Sequence, residues 1–391
     1  MSGTVASSTG SDADPRHVYI HVPFCGRRCS YCDFSIAVRR EVPVNRFIDA
    51  IMAEMVTRSI GPLGAAPLSI YLGGGTPSKL GGDGVARLLD SVSRRLGVAK
   101  LSTFNEDIEV TVEANPEDLT AIVAHAWAEA GVNRVSLGVQ SFDASVLEWM
   151  HREHSPDQAA VAVEALRGAG IQNISLDLIY ALPKTLNRDW QRDLDSALAL
   201  EPSHLSVYGL TIEPQTPLGR WASAGEVRES PEESYEEEFL LADRRLGEAG
   251  FEHYEVSNYA KLGRRSRHNS SYWTGVPYLG LGPSAHGFDG RTRRWNVAAY
   301  AKWLELVEQG ADPFAGSEDP GDDGRRAEEV YLGLRASGGL SIHHSEVEMV
   351  TRWVREGWGR LDKQRRLRLS PSGWLRMDAL ATELIAARER A

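Results

Sequence analysis

The stretch Tyr19–Phe34, with the sequence YIHVPFCGRRCSYCDF, decides how this chain folds. It joins an apolar run, typical of a buried strand, to three cysteines with the spacing C-x3-C-x2-C. The sequence of 391 residues holds no further cysteine. Because an odd number of closely spaced cysteines fits a disulfide framework poorly, the pattern indicates a metal site in a reducing compartment.

The three thiolates suit an iron–sulfur cluster. A cubane [4Fe–4S] cluster has four irons, and four thiolates would close it. Cys25, Cys29 and Cys32 leave one iron open for another ligand, as catalytic metal sites do. The alternative is a structural zinc with His21 as its fourth ligand, which is less favoured because zinc sites usually use C-x2-C pairs. We therefore predict that the three cysteines bind a [4Fe–4S] cluster.

Short apolar runs alternate with helical stretches over the first 250 residues. Such β-branched runs suit strands that are buried on both faces. Six strand–helix units in series predict an α/β fold, a parallel sheet curled into a partial (β/α)6 barrel with its site on the loops after the strands. The candidate strands are His17–Val22, Leu68–Leu72, Ile108–Glu113, Arg134–Val139, Asn173–Ile179 and His204–Leu210.

Helix starts are predicted where a capping residue precedes a proline and an acid. Asn115, Ser155 and Ser230 each stand in such a position. The last of them opens a long acidic stretch, 232–250, which we interpret as a solvated helix.

The chain is expected to have four parts. Residues 1–16 are small and polar and predict a disordered tail, and residues 17–250 carry the barrel. Residues 251–310 are rich in aromatic side chains, glycine and arginine and predict an additional layer over the barrel. After a linker or exposed loop at 311–325, residues 326–391 predict a small C-terminal winged-helix-like domain. Its arginines are interspersed with acids, so we expect it to dock a substrate or partner rather than DNA.

Composition narrows the class of protein. The net charge of −11 argues against a nucleic-acid binder. The sequence contains no run of about 18 apolar residues and no positive start followed by an apolar run, so neither a membrane span nor a signal peptide is predicted. We expect a cytoplasmic protein.

The cysteine motif resembles the signature of radical S-adenosylmethionine (SAM) proteins. Cys25-x3-Cys29-x-Tyr31-Cys32 has the aromatic residue that precedes the last cysteine, and Tyr19–Cys25 is similar to the oxygen-independent coproporphyrinogen III oxidase-like group. The similarity runs from about Val18 to the C-terminus. The resemblance implies that SAM occupies the vacant coordination position of the fourth iron. Electron transfer from the cluster then breaks a carbon–sulfur bond of SAM.

The resemblance also implies a set of SAM-binding residues. The glycine loop after the second strand approaches the amino-acid end of SAM, and Glu113 meets the ribose. Without the resemblance, each of these residues also has a structural interpretation. The loop would be a tight turn, Glu113 would cap a helix, Arg152 would be a surface arginine, and the tyrosines would only pack against their neighbours. The implied residues are Tyr19, Tyr31, Gly74, Gly75, Thr76, Glu113, Gln140, Arg152 and Asp177.

One departure separates this chain from the oxidases of that group. They resemble Cys-x3-Cys-x2-Cys-x-Cys, with a further cysteine two positions after the third. Here Phe34 holds that position, and phenylalanine supplies no thiol. Decarboxylation of coproporphyrinogen is therefore disfavoured.

A second motif points to haem. His268-Asn269-Ser270-Ser271-Tyr272-Trp273 resembles the H-N-x-x-Y-W motif of HemW-type haem chaperones. Histidine and tyrosine are haem-iron ligands, and tryptophan offers a flat apolar face. We predict haem binding by His268, Asn269, Tyr272 and Trp273, with His268 as the iron ligand and Tyr272 as the next candidate. The alternative is a structural role for His268. The propionates would meet arginines on either side: Arg264, Arg265, Arg267, Arg291, Arg293 and Arg294.

The glycine-rich loop Leu281–Gly287 is left between two interpretations, a lid over SAM and a plain turn.

The resemblance implies a haem chaperone that binds haem and hands it to an acceptor, with cluster and SAM gating release or dimerisation. The alternatives are an oxygen-independent coproporphyrinogen III oxidase and a radical-SAM enzyme with an unrelated substrate. Expected partners are a haem-accepting protein, an electron donor for the cluster and, transiently, a membrane or respiratory protein. Both a monomer and a homodimer fit the sequence.

Overall fold

The computed structural model describes residues 15–98, 101 and 107–390. Most of the expected tail, residues 1–14, lies outside the described residues. Within them, strands and helices follow the predicted alternation. The strands are β1 (His17–Val22), β2 (Phe24–Cys25), β3 (Ala37–Val38), β4 (Ser69–Gly74), β5 (Glu109–Ala114), β6 (Arg134–Gln140), β7 (Asn173–Tyr180), β8 (His204–Gly209), β9 (Glu252–Glu255), β10 (Asn258–Ala260), β11 (Tyr278–Leu281), β12 (His286–Phe288), β13 (Arg293–Asn296), β14 (Phe314–Glu318), β15 (Leu340–Ser341), β16 (Gly359–Leu361) and β17 (Arg366–Leu369).

The helices mostly follow the strands and cover the sheet. They are α1 (Val44–Thr57), α2 (Gly81–Arg95), α3 (Ala121–Glu129), α4 (Ala144–Trp149), α5 (Pro156–Gly168), α6 (Trp190–Ala199), α7 (Pro217–Ser223), α8 (Glu232–Glu248), α9 (Arg267–Thr274), α10 (Tyr300–Glu308), α11 (Gly321–Arg335), α12 (Val347–Arg355), α13 (Pro371–Trp374) and α14 (Met377–Glu389). Short 3-10 turns lie at 77–80, 116–118, 184–186 and 344–346.

Six parallel strands form the barrel in the order β1-β4-β5-β6-β7-β8. Their side chains are buried on both faces, which explains the continuous apolar runs in the sequence. β1 and β8 do not pair with each other, so the sheet stays open. The predicted α/β fold, a parallel sheet curled into a partial barrel, is confirmed.

The open edges of this sheet are paired with further strands. β11 pairs with β1 in parallel and continues antiparallel into β12, β13 and β14, while β10 and β9 follow β8. Residues 251–310 thus extend both edges of the barrel sheet, where the sequence suggested a separate layer. Pairing satisfies the backbone N–H and C=O groups that an incomplete barrel would leave exposed.

Two local predictions are corrected. The segment 311–325, expected to be a linker or exposed loop, is largely exposed in β14 but contains this strand and the first residues of α11. Asn115 introduces only a 3-10 turn, and the helix begins after Thr120, whose side chain accepts a hydrogen bond from the amide of Val123. By contrast, Ser155 forms a capping box with Gln158, as its position suggested.

The C-terminal part combines α11, α12 and α14 with a small sheet of order β15-β17-β16. β16 and β17 pair antiparallel and form a hairpin. Arg352 and Arg368 are paired with Glu383 and Asp362, respectively. These two ion pairs neutralise part of the basic charge of this module.

Across the described ranges, no helix is long and apolar enough to cross a membrane.

Candidate functional site

The cysteine loop is fixed at both ends by β2 and β3. These strands pair in parallel, and the amide of Arg39 donates to the carbonyl of Cys25 at 2.9 Å. The loop between them is held from outside, because the amide of Ser30 donates to Met150 O at 3.1 Å and Ser30 O accepts from the amide of Leu218 at 2.8 Å. The cysteine side chains are thereby placed at the C-terminal end of β1, as the barrel predicted.

All three cysteines line one cavity of 490 Å³. The Sγ of Cys25 lies 3.3 Å from Thr76 Oγ1, and Nη1 of Arg152 lies 3.5 Å from Cys29 Sγ. Burial raises the pKa of Cys25 to about 11 and also raises the pKa of Cys32. The donor set fits a cluster: three thiol groups face one space, with a buried guanidinium beside one of them.

A single metal ion fits less well. Among the residues that the structure describes, no three His, Cys, Asp or Glu side chains converge on one ion position. His21, the fourth ligand of the zinc alternative, has both ring nitrogens in use: Nδ1 lies 3.1 Å from the Tyr19 hydroxyl and Nε2 lies 2.9 Å from Ser35 O. A cubane spreads its thiolates over separate irons and does not require this convergence.

The glycine loop packs against the cysteine loop. Gly74 has a φ of +110°, and a Cβ there would lie 2.5 Å from the His21 ring. The amides of Gly75 and Thr76 donate to Val22 O and Phe24 O, each at 2.8 Å. These two amides tie β4 to β1 and β2, so the loop, which the resemblance implies at the amino-acid end of SAM, lines the cavity with its surface.

Glu113 lies at the end of β5 and faces the same cavity. Its Oε1 accepts from the Tyr71 hydroxyl at 2.7 Å, and its Oε2 accepts from the Gly74 amide at 3.0 Å. Burial raises the pKa of Glu113 to about 7, and these two donors oppose that shift. The carboxyl group is therefore positioned to accept hydroxyl donors and to titrate near neutrality.

Arg152 binds the loops around the cavity together. Its Nη2 donates to Asn115 Oδ1 and to Gly138 O, both at 2.7 Å. Burial alone would lower the pKa of Arg152, but its neighbours, Tyr31 and Cys29 foremost, raise it. A permanent cation thus lies within the cavity wall.

Two further predicted residues come from β6 and β7. Gln140 follows a β-bulge and has a φ of +69°, a conformation that is costly for a side chain other than glycine and that often marks functional positions. Asp177 accepts from Ser136 Oγ at 3.0 Å, and burial raises its pKa. Both line the cavity.

The two predicted tyrosines line different cavities. Tyr31 lines the cysteine cavity, as expected. Tyr19 instead lines a neighbouring cavity, stacks on Tyr71 and binds His21. Because side chains on a strand alternate between faces, Tyr19 shares the face of His21 on β1.

Several lining residues were missed in the sequence. Ser136 and Gly138 face the cysteine cavity from within β6, Tyr208 faces it from β8, and Asn115 and Glu117 face it from the turn after β5. The rule that sites lie after barrel strands pointed to the turn after β5, but nothing in the sequence singled out any of these side chains.

The predicted haem-binding motif, residues 268–273, lies in α9 beside β4. The ring of His268 is only 1% exposed. Its Nδ1 lies 2.8 Å from Ser69 Oγ, which also binds His17, and its Nε2 lies 2.8 Å from the Tyr272 hydroxyl. Burial lowers the pKa of His268 to about 3, so the ring is neutral. Both nitrogens of the expected iron ligand are therefore engaged within the protein.

A second cavity of 670 Å³ lies beside the first. Tyr272 and Trp273 line it from α9, and His286 and Phe288 line it from β12. His268 and Asn269 do not reach it. Loop Leu281–Gly287 contributes to this cavity through Ser284 and His286 and does not line the cysteine cavity.

The two cavities share part of their walls. Asp33, Phe34 and Gly74 line both. The side chain of Phe34 is 58% exposed. The residue that distinguishes this chain from the oxidase pattern thus stands at the boundary between the cavities.

Of the six arginines considered for propionates, only Arg293 lines the second cavity, and it pairs there with Glu328. Arg265, Arg291 and Arg294 pair with Glu252, Asp319 and Asp312, respectively. Arg267 donates to Asp107 O at 2.9 Å.

The profile of the Radical SAM superfamily matches residues 19–197. A "Heme chaperone HemW" of Bacillus subtilis is 35% identical over 327 residues, which are 83% of this chain and 85% of that protein. A "Heme chaperone HemW" of Mycobacterium tuberculosis is 38% identical over 331 residues, with 84% and 83% covered. The solved structure of coproporphyrinogen III oxidase from Escherichia coli matches 95% of this chain and 90% of its own with a TM-score of 0.77 and 19% identity, a likeness of fold.

Proposed function

This chain belongs to the HemW haem chaperone family of the radical SAM superfamily, and from that premise we propose that it binds haem and hands it to an acceptor protein while it carries a [4Fe–4S] cluster and SAM. The observation that carries the proposal is the pair of adjoining cavities. One has the three cysteines on its wall, and the other has the Tyr272–Trp273 pair.

The cluster is assigned to Cys25, Cys29 and Cys32. Because burial raises the pKa values of Cys25 and Cys32, cluster assembly releases protons from these thiols. The Arg152 guanidinium beside Cys29 offsets the negative charge that three thiolates bring. When bound, the cluster supplies electrons for reductive cleavage of SAM.

SAM is assigned to the same cavity. Glu113 accepts ribose hydroxyls, and Arg152 attracts the carboxylate of SAM. Tyr31, Gly74, Gly75, Thr76, Gln140 and Asp177 complete the lining. Tyr19 acts indirectly, through its contact with Tyr71, whose hydroxyl binds Glu113.

Haem is the cargo of the second cavity. Its volume is in the range of small-molecule and cofactor sites. Tyr272, Trp273 and Phe288 offer apolar surface to the porphyrin, and Arg293 offers a cation to a propionate. His268 supports this wall from behind, since it holds the Tyr272 hydroxyl, and Asn269 follows it on α9.

The alternative function is oxygen-independent coproporphyrinogen III oxidation, which the shared fold alone favours. Phe34 argues against it. The two are distinguished by anaerobic incubation of the reconstituted protein with coproporphyrinogen III, SAM and a reductant. We expect no release of carbon dioxide, and stoichiometric release from the propionates would establish the oxidase.

The chaperone proposal is tested by titrating haemin onto the anaerobically purified full chain, with and without its cluster. We expect saturable binding near one haemin per chain, and loss of the bound haem to an apo-haemoprotein added afterwards. Absence of saturable binding in both preparations would refute the proposal. A haem-accepting protein and an electron donor for the cluster are the partners that this function requires.

A further inference from the structure

The second cavity holds more than one side chain that could bind iron, and their hydrogen bonds distinguish them. This inference rests on the proposed haem-binding function. Among the described residues, the ligating groups that line the cavity belong to His21, His286, Tyr19, Tyr272 and Tyr278. Histidine and tyrosine are both haem ligands, so the question is which of them has a free donor atom.

Three of the five are engaged elsewhere. Tyr19 and His21 bind each other, and His21 also binds Ser35 O. The Tyr272 hydroxyl is held by His268 Nε2 at 2.8 Å. Binding iron through any of these would break a buried hydrogen bond and leave its partner unsatisfied, at a cost of about 1–3 kcal/mol.

His286, unlike these three residues, has a ring that is not held by a hydrogen bond within the described part of the chain. Its side chain is exposed toward the cavity from β12, and its ring has no hydrogen bond to any residue in the described ranges. The ring stacks on Trp295 with a centroid distance of 5.6 Å and an interplanar angle of 23°, which restricts its orientation. β12 itself is paired on both sides, with β11 and β13, so the backbone is fixed.

The protonation state of His286 also suits a ligand. Burial, and then the positive charge of Arg293, lower its pKa. The ring is therefore neutral at physiological pH, which is the form that binds metals. Tyr278, the remaining candidate, has a pKa raised by burial and would have to lose a proton to bind ferric iron strongly.

We propose that His286 is the axial ligand of the haem iron in the second cavity, and that His268 is a positioning residue that orients Tyr272. The iron would lie against the β12 side of the cavity, with the porphyrin between His286 and the Tyr272–Trp273 surface. Arg293, which pairs directly with Phe288 across β12 and β13 and also lines this cavity, would meet a propionate.

The test is a haemin titration of the full chain under anaerobic conditions, followed by absorption, EPR and resonance Raman spectra. His286→Ala should weaken binding by more than about tenfold and replace the histidine-ligated spectrum with a water-ligated, high-spin one. Added imidazole should restore the original spectrum. His286→Tyr should give a phenolate-to-iron charge-transfer band, which reports the ligand position even when affinity is low.

Two variants serve as comparisons. His268→Ala should keep the histidine-ligated spectrum while affinity falls, and His125→Ala, an exposed histidine on α3, should match the unaltered protein. If the unaltered protein binds haemin and His286→Ala keeps both spectrum and affinity, the ligand assignment is overturned and haem binding stands. Loss of the histidine signature in His268→Ala alone would also overturn it. Failure of the unaltered protein to bind haemin would overturn the proposed function and the assignment together.

Discussion

The Nε2 atom of His268 lies 2.8 Å from the hydroxyl of Tyr272, one helical turn further along α9. On its other side the ring binds Ser69 Oγ, which also binds His17 Nδ1. A buried chain of hydrogen bonds therefore runs from β1 through β4 to the surface of the second cavity. Its end, Tyr272, is held in a fixed place in the wall of that cavity.

Replacing Tyr272 with phenylalanine tests this chain. The aromatic ring remains in the cavity wall, but the buried Nε2 atom of His268 loses its hydrogen-bond partner. Because the pKa of His268 is lowered to about 3, the ring stays neutral after this loss. We expect the free energy of unfolding to fall by about 1–3 kcal/mol in urea titrations. Tyr278→Phe, whose hydroxyl has no hydrogen-bond partner in the described part of the chain, is the control. Equal stability of the two variants would contradict the assignment.

SAM binding should depend on pH through Glu113. The pKa of Glu113 is raised to about 7, so the carboxylate that accepts ribose hydroxyls is progressively lost below neutrality. We expect the apparent Kd for SAM, measured by anaerobic calorimetry, to be about tenfold higher near pH 6 than near pH 8. Glu113→Gln should bind SAM weakly at both values. A pH dependence that survives in this variant would exclude Glu113 as its source.

Ionisation of Glu113 favours SAM binding but disfavours the folded state. A carboxyl whose pKa is raised by folding disfavours the folded state once it ionises, so this residue stabilises the fold less as the pH rises from the unfolded value toward 7. Glu113→Gln should remove that part of the pH dependence of unfolding.

Local sequence revealed the barrel and part of the site. The six core strands are buried on both faces, so their apolar runs are continuous and easily recognised. The edge strands are short, and β14 is largely exposed, so its sequence resembles a linker. The pairing of β11 with β1 joins residues about 260 positions apart, which no local pattern encodes. The position of His268 depends likewise on Ser69, 199 residues away.

Gly74 should not tolerate a side chain. It has a φ of +110°, and a Cβ would lie 2.5 Å from the His21 ring behind the cysteine loop. We expect Gly74→Ala to lower the free energy of unfolding by at least about 1–3 kcal/mol and to impair cluster incorporation, measured as iron per chain. Gly61→Ala is the matched control, because no heavy atom lies within 4 Å of its Cβ position. Normal iron content in Gly74→Ala would show that the loop adapts.

Glu54 should be among the most costly side chains to remove. Its carboxylate accepts from Arg58 at 2.6 Å, from Asn296 at 2.8 Å, and from the Gly282 amide and the Trp303 indole at 2.9 Å each. These contacts join α1 to β13, to α10 and to the residue that follows β11. We expect Glu54→Ala to cost about 3–5 kcal/mol in urea unfolding, because it leaves a buried guanidinium unpaired. The exposed Asp49 on the same helix should tolerate alanine within about 0.5 kcal/mol. A similar small effect at Glu54 would contradict this account.

The proposed function depends most on the metal centre formed by the three cysteines. The direct measurement is iron, sulfide and zinc content of the freshly purified, oxygen-protected protein, alongside Cys29→Ala and Ser30→Ala. Ser30 is the matched control because its buried Oγ has no hydrogen-bond partner in the described ranges. We predict a brown protein with about four irons and four sulfides per chain, retained in Ser30→Ala and lost or strongly reduced in Cys29→Ala. A colourless protein that contains zinc instead would contradict the cluster, and with it the assigned SAM site.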